Sequence, residues 1–257
     1  MIIRKSSDEL DMMRKAGAIV AGTISAVLEA VEPGRSTLDL DRVAEAYIHD
    51  QGATPSFKGY RGSASPPFPA TICASVNHEI VHGIPSRTRV LKEGDLLSLD
   101  FGAIWEGFHS DSAVTVFVGG VAPSPEAERL VKTTEAALEA AIAKVEPGAR
   151  LSDIGHAIEQ VADAEGFGLV REFGGHGIGR ALHEDPFVQN WGAPGRGPTM
   201  RPGLVLALEP MLNLGGDETR MLPDRWTVVT ADGSLSAHAE HTVAVTEDGR
   251  EILTTRG

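Results

Sequence analysis

Residues 77–85 read NHEIVHGIP, and His78, Glu79 and His82 within them form an H-E-x-x-H string. On a helix, that spacing sets two imidazoles on one face to grip a zinc ion, with the glutamate as general base. The surroundings argue against a helix. Gly83 and Pro85 follow at once, the preceding ATICASV is β-branched and strand-like, and no local pattern places a third ligand. The string is expected to be an accident of sequence, with His78 a polar loop residue.

A second set of acids has a stronger claim to chemistry. Residues 96–104 (LLSLDFGAI) and 112–118 (SAVTVFV) read as strands joined by a short turn around Trp105-Glu106-Gly107, a hairpin pattern. A turn centred near 105–106 is expected to put Asp100 roughly opposite Asp111. Like charges facing each other across a strand pair are destabilising, and their apolar neighbours suggest burial. Buried carboxylates either share a proton or hold a cation. The pattern recurs: Glu209 ends the apolar run GLVLAL and Glu240 begins the run HTVAV. Any one of these acids could be a solvated strand-end residue. All four standing at equivalent positions of a repeat is harder to explain that way, and four converging negative charges call for multivalent cations.

His176 supplies a nitrogen ligand. It lies in GGHGIG, where flanking glycines are expected to let the backbone approach a ligand closely. Four carboxylates and one imidazole suit structural zinc poorly, since such sites favour thiolates and imidazoles. The set suits a pair of divalent ions such as Mn²⁺, Fe²⁺ or Co²⁺, and less comfortably Zn²⁺. Two metals roughly 3–4 Å apart make a hydrolytic site.

Four helices must carry these strands. The first starts near Ser6, with Glu9 three residues on as a capping box, and stops at Pro33-Gly34. The second is capped near Ser36 and ends at Gly52. The third has Ser124 as cap with Pro125 at its first position, and the fourth is SDIGHAIEQVADAEG. The order repeats. VEPGRSTLDL at 31–40 resembles VEPGARLSDI at 145–154, and His82-Gly83-Ile84 resembles His176-Gly177-Ile178. EGDLLSLDFG at 93–102 resembles PGLVLALEPM at 202–211, and DSAVTVFVGG at 111–120 resembles EHTVAVTEDG at 240–249. Two copies are too few for a solenoid. A single domain over 1–257 is expected, with halves at roughly 7–120 and 125–250 about a pseudo-two-fold. The loop at 59–70 (GYRGSASPPFPA) reads as a surface or site-rim loop.

The 257 residues are enough for a sizeable core, and 42% hydrophobic with 23% charged residues is ordinary for a soluble globular chain. The net charge of −13 and the lack of a Lys/Arg block argue against nucleic-acid binding. Cys73 is the one cysteine, so an intrachain disulfide is impossible and a reducing compartment is favoured. No signal-peptide core and no stretch of ~18 apolar residues is present, so neither secretion nor a membrane is expected. The reading is a cytoplasmic protein.

At these residues the chain resembles the type I methionine aminopeptidases of the pita-bread (creatinase/aminopeptidase) fold, in their compact bacterial form. The resemblance covers essentially the whole chain. It rests on Asp100, Asp111, His176, Glu209 and Glu240 in order and spacing, and on FHSDSAVTVFVGG, REFGGHGIGRALHEDP, LALEPM, WTVVTADGSLSAHAEHTVAVTEDG and EILT. It implies an α+β fold: two pseudo-symmetric halves sharing a curved antiparallel sheet, with helices on its outer face. It implies two divalent metal ions. Asp111 and Glu240 would bridge them, Asp100 would chelate one, and His176 with Glu209 would complete the other. Glu209 would shuttle protons, His82 would hydrogen-bond near the scissile amide, and His183 would stabilise the oxyanion. Phe68, Cys73, Leu182 and Trp226 would line the methionine pocket.

Some positions depart from the family. Tyrosine usually stands at Phe68 and phenylalanine at Leu182, and Gly62 replaces a side chain that often packs the mouth. Trp226 is also placed by local pattern: WTVVT and SLSAHAE flank Ala231-Asp232-Gly233, a hairpin signal expected to bring Trp226 beside the Glu240 end of the next strand. His49 and His156 are expected at the surface, His109 precedes the Asp111 strand as a candidate supporter of the ligands, and His241 is expected to face away from Glu240. His238 shares the face of Glu240 but is left outside the site.

The implied substrates are nascent polypeptide N-termini and Met-peptides with a small second residue, with transient ribosome association possible in the family and a monomer as its usual state. Ile2 is bulky, so the same specificity implies that Met1 is retained. Two rivals stay open: an Xaa-Pro peptidase of the same fold, and a peptide-binding relative without catalysis.

Overall fold

Capping side chains fix where the helices begin. Ser6 accepts from Glu9 N while the Glu9 carboxylate accepts from Ser6 N, opening α1, Ser7–Glu29. Ser36 and Asp39 do the same for α2, Thr37–Asp50. Ser124 caps α3, Pro125–Ala143, with proline in its first turn. The last helix, α4, Ser152–Glu165, ends on Gly166 at φ 71°. On α1 the buried positions Met13, Ala16, Gly17, Val20, Ile24 and Val27 recur three and four apart, the spacing of one helix face. Gly17 is required there, because a Cβ would lie 2.1 Å from the Leu253 carbonyl oxygen.

In this computed structural model, which describes residues 1–61 and 65–256, the first half forms a sheet of β1 (Thr54–Pro55), β2 (Ile72–Val76), β4 (Leu96–Trp105) and β5 (Phe108–Phe117). A short strand, β3 (Glu79–Val81), follows β2 after the turn at Asn77-His78. In the second half, β7 (Gly174–Gly177), β8 (Glu184–Gln189), β9 (Val205–Leu208), β14 (His241–Thr246) and β15 (Gly249–Ile252) form a five-stranded sheet ordered β15-β14-β9-β7-β8. Two small antiparallel sheets flank these. One is built from β6 (Gly168–Leu169), β10 (Met211–Asn213) and β13 (Ser236–His238), the other from β3, β11 (Thr219–Met221) and β12 (Val228–Thr230).

The two larger sheets meet at β5 and β14. Glu240 N donates to Ala113 O at 3.1 Å and Ala113 N to Glu240 O at 3.3 Å. Helix α1 covers β4 and β5, while α3 and α4 cover strands of the second half. One hydrophobic cluster draws on 19–118 and includes Ile24, Leu40, Ile72, Leu99 and Phe101. Another draws mainly on 130–245 and includes Leu130, Ile154, Leu206 and Val243. A third, with Met13, Phe57, Phe68, Ile178 and Trp226, spans both halves. The mixture of helices and antiparallel sheets is an α+β architecture, in line with the pita-bread fold that the resemblance implies. Among the described residues, no helix is long and apolar enough to cross a membrane.

Two expectations of register are corrected. The β4–β5 turn is the two-residue pair Glu106-Gly107, both at positive φ (48° and 79°), with Trp105 opposite Phe108. This turn is centred one residue later than expected. Asp100 therefore faces Ala113 and Asp111 faces Gly102, so the two acids are diagonal neighbours on one face. The expected hairpin at Ala231-Asp232-Gly233 does not pair its arms. The Asn77-His78 turn comes between them, with His78 O accepting from Thr230 N and Asn77 O from Ser236 N.

Candidate active site

Alternation along β4 and β5 aims Asp100 and Asp111 to the same side. Cys73 on β2 pairs with Asp100 and joins that face. His176 lies in β7, Glu209 directly after β9, and Glu240 directly before β14. These five residues line one cavity of about 250 Å³ together with His82, His183, Phe57, Tyr60, Phe68, Cys73, Leu182 and Trp226. Ligand atoms of Asp111, His176 and Glu240 lie within 4.8 Å of one another. His176 Nε2 stands 3.6 Å from Asp111 Oδ2 and 3.7 Å from Glu209 Oε1. Its Nδ1 is 2.9 Å from Gly177 O, which leaves Nε2 facing the acids.

The electrostatics are those of anions crowded without counter-charge. Burial pushes the Asp111 carboxyl up to about 7. Asp100, Glu209 and Glu240 are raised well above the ordinary carboxylate range, first by burial and then by neighbouring carboxylates, with Asp111 raising all three. Burial holds His176 down to about 4, in the neutral form that can ligate a metal. Asp100 Oδ1 is buried without a hydrogen-bond partner. Among the described residues, no lysine or arginine lines the cavity. Four carboxylates, one neutral imidazole and an orphaned oxygen fit divalent cations with a preference for oxygen and nitrogen donors.

Aromatic and apolar side chains form the rest of the wall. Phe68 and Trp226 meet edge-on with ring centroids 5.2 Å apart, and His82 meets Trp226 at 5.9 Å. The indole N–H of Trp226 donates to Pro66 O at 2.9 Å, and Ser65 Oγ donates to Arg225 O at 2.8 Å, so the rim loop is tied to the Trp226 segment. Gly62 lies outside the described residues. His82 sits directly after β3 at φ 61°, and burial lowers it to about 4. His183 precedes β8, and its ring centroid is 4.2 Å from that of His176.

The H-E-x-x-H string divides as its surroundings demand. Glu79 is buried in β3, accepting from Val76 N and pairing with Arg89, while His78 is a turn residue. Three readings of the sequence change. The glycines beside His176 serve strand packing: a Cβ at Gly175 would lie 2.2 Å from Ala207 O, and one at Gly177 2.2 Å from Asp185 O. Trp226 reaches the cavity from the start of the β12 segment, without the expected hairpin. His238, set aside on sequence, packs against Glu209 with 3.8 Å between Nε2 and Oε2.

Phe57 and Tyr60 were not anticipated. Tyr60 lies in the rim loop, and its ring centroid is 5.2 Å from that of His183, so the loop's Gly-Tyr start was the available signal. The remaining histidines stay out of the cavity. His109 Nδ1 is 3.0 Å from Ser56 Oγ, His241 Nδ1 is 2.8 Å from Thr254 Oγ1, His49 is exposed and His156 half-buried.

Comparison with known proteins gives this arrangement a family. Residues 11–247 match metallopeptidase family M24. Methionine aminopeptidase 1 of Mycobacterium tuberculosis is 51% identical over 260 residues, covering 99% of this chain and 95% of that protein. The crystal structure of a methionine aminopeptidase from Thermotoga maritima superposes with a TM-score of 0.95 at 41% identity, covering all of both chains. A prolidase from Pyrococcus furiosus shares the fold at a TM-score of 0.78 and 22% identity, and this chain spans 66% of it. The chain belongs to metallopeptidase family M24, within its methionine aminopeptidase branch.

Proposed function

We propose that this protein removes the N-terminal methionine from nascent proteins and Met-peptides whose second residue is small, by hydrolysis of the first amide bond. The observation that carries the reading is the cavity itself: four carboxylates and an imidazole converging at one wall and an apolar, aromatic recess beside them.

Asp111 and Glu240 would each hold two divalent ions, Asp100 one of them, and His176 with Glu209 the other. Mn²⁺, Fe²⁺ and Co²⁺ suit this donor set, and Zn²⁺ less comfortably. Bound there, the ions supply Lewis acidity and lower the pKa of water toward neutrality. The protein's side chains do the rest. Phe68, Cys73, Leu182 and Trp226 enclose the methionine side chain, whose thioether is favoured against rings and a thiol. Glu209 takes the proton of the attacking water and passes it on. His82, kept neutral by burial, hydrogen-bonds beside the leaving amide nitrogen. His183 donates to the carbonyl oxygen as negative charge develops there. The free α-amino group would bind at one of the ions, which would confine cleavage to the first residue.

The domain reading is a single catalytic unit of two related halves, consistent with the direct pairing of Glu240 with Ala113. A cytoplasmic location fits the single buried cysteine, and a monomer acting on chains as they leave the ribosome is what the family resemblance implies. The test is a metal titration of the metal-stripped protein, following methionine release from Met-Gly-Met-Met against Leu-Gly and an Ala-Pro substrate. Metal-dependent release from the methionyl peptide alone, abolished in His176→Ala, is the expected result. Preferential cleavage of Ala-Pro would favour the Xaa-Pro reading, and no cleavage with any ion would favour peptide binding without catalysis.

A further inference from the structure

Beside Glu209, and not among the residues that line the cavity, stands a second imidazole. His238 is on β13, register-paired with Met211 on β10, two residues beyond Glu209. Its backbone is fixed on both sides: His238 N donates to Thr115 Oγ1 at 3.0 Å, and Thr115 Oγ1 donates to His238 O at 2.7 Å. The side chain is only 3% exposed, and its Nε2 is buried with no hydrogen-bond partner. The carboxylate nearest to that nitrogen is Glu209, with Oε2 at 3.8 Å. Glu209 thus has an imidazole facing each oxygen, since His176 Nε2 lies 3.7 Å from Oε1.

A buried imidazole N–H without an acceptor carries its full desolvation cost, so native structures rarely keep one idle. The gap of 3.8 Å is too long for a hydrogen bond. It is short enough that a modest rotation of the Glu209 carboxylate closes it. A ligating carboxylate needs its second oxygen anchored if the first is to point at the ion, and such anchors govern affinity strongly.

We propose that His238 is a positioning residue for Glu209: its Nε2–H donates to Oε2 and thereby aims Oε1 at the ion and the substrate water. The proposal rests on the reading of Glu209 as metal ligand and proton carrier. His238 touches neither substrate nor ion in this scheme, and acts only through the orientation of Glu209.

The test compares wild type, His238→Leu and His238→Gln, using Mn²⁺ as the probe. Calorimetric titration of the metal-free proteins gives affinity, steady-state cleavage of Met-Gly-Met-Met gives kcat and KM, and thermal melting of the metal-free forms gives stability. Leucine removes the donor, whereas glutamine places an amide N–H near the position of Nε2. His238→Leu is expected to lose about 10- to 100-fold in Mn²⁺ affinity, to lose kcat with KM little changed, and to melt no lower than wild type without metal. His238→Gln is expected to recover affinity and kcat to within about threefold of wild type. Wild-type affinity and kcat in His238→Leu would overturn the proposal, as would a glutamine variant no better than leucine. If leucine prevents folding, His238→Asn carries the comparison, because its shorter amide falls short of Glu209; wild-type affinity there overturns the proposal equally. Failure of the functional reading looks different, since wild type itself would then bind no Mn²⁺ or release no methionine.

Discussion

Thr242 holds Asp111 at three atoms. Its Oγ1 lies 2.8 Å from Asp111 O, 3.0 Å from Asp111 Oδ1 and 3.1 Å from Asp111 N. The hydroxyl accepts from the amide and donates to the two oxygens in turn. A residue of one sheet therefore sets the carboxylate of the other.

Thr242→Val tests this control. Valine fills nearly the same space but leaves the buried Asp111 N–H without an acceptor, at a cost of about 1–3 kcal/mol. Urea unfolding of the metal-free protein should report that loss, and Mn²⁺ affinity should fall as the Asp111 carboxylate gains freedom. Unchanged affinity would mean that the two oxygens of Asp111 are set by the ions alone.

Asp111→Asn predicts a pH-dependent gain. The folded-state carboxyl is raised from 3.8 to about 7 by burial. Its stabilising contribution is whole below about pH 4 and is lost as pH rises through about 7. At pH 8 the metal-free wild type carries the full cost, while asparagine keeps an oxygen for Thr242 and has no charge to bury. The variant should melt higher than wild type at pH 8, with the gap closing toward pH 4. Saturating Mn²⁺ should reverse the order, because a ligand stabilises the form that binds it. Equal melting of the metal-free pair at pH 8 would refute the assignment.

Lys5→Met tests how the His183 loop is held. Lys5 Nζ contacts Glu184 Oε2 at 2.6 Å with both side chains under 10% exposed (2% and 7%), and Glu184 Oε1 accepts from Ala181 N at 3.3 Å. Removing the lysine strands a buried carboxylate, at about 3–5 kcal/mol. The double variant with Glu184→Gln should recover a large part of that. Both should slow catalysis, since His183 is the residue before Glu184. A Lys5→Met protein as stable as wild type would show that the pair contributes nothing net.

Trp226→Phe keeps an aromatic wall and loses the 2.9 Å bond to Pro66 O. With the rim loop released on that side, KM for Met-Gly-Met-Met should rise several-fold with kcat little changed. A fall in kcat at constant KM would instead tie Trp226 to His82, whose ring it meets at 5.9 Å.

Helix starts were legible because their signals are local, whereas α1 stops at Glu29, short of the expected Pro33-Gly34. Ser6 with Glu9, Ser36 with Asp39 and Ser124 with Pro125 each act within four residues, and each starts a helix where expected. The acids were legible because carboxylates set within or beside apolar strands, at repeat-equivalent positions, have few other uses. What failed was pairing at a distance. The Asp100–Asp111 offset turned on whether the turn was centred at 105–106 or at Glu106-Gly107, a difference that only the two positive φ angles decide. The Ala231-Asp232-Gly233 turn carried a sound hairpin signal, yet the Asn77-His78 turn took a hydrogen bond from each arm, and the arms pair with other strands. His238 was visible as a residue on the face of Glu240. Its approach to Glu209 depends on β13 pairing with β10, which no local pattern records.

The seam between β5 and β14 has a kinetic side. Its hydrogen bonds join residues 131 positions apart, as between Asp111 and Thr242. Contacts of such separation form late, because chain entropy must be surrendered before they return anything. During synthesis the first half can leave the ribosome and collect its own core while Asp111 still lacks its anchor. A growing copy of this protein therefore has no complete metal seat until residue 242 has emerged, and the ability to bind metal marks the last stage of its folding.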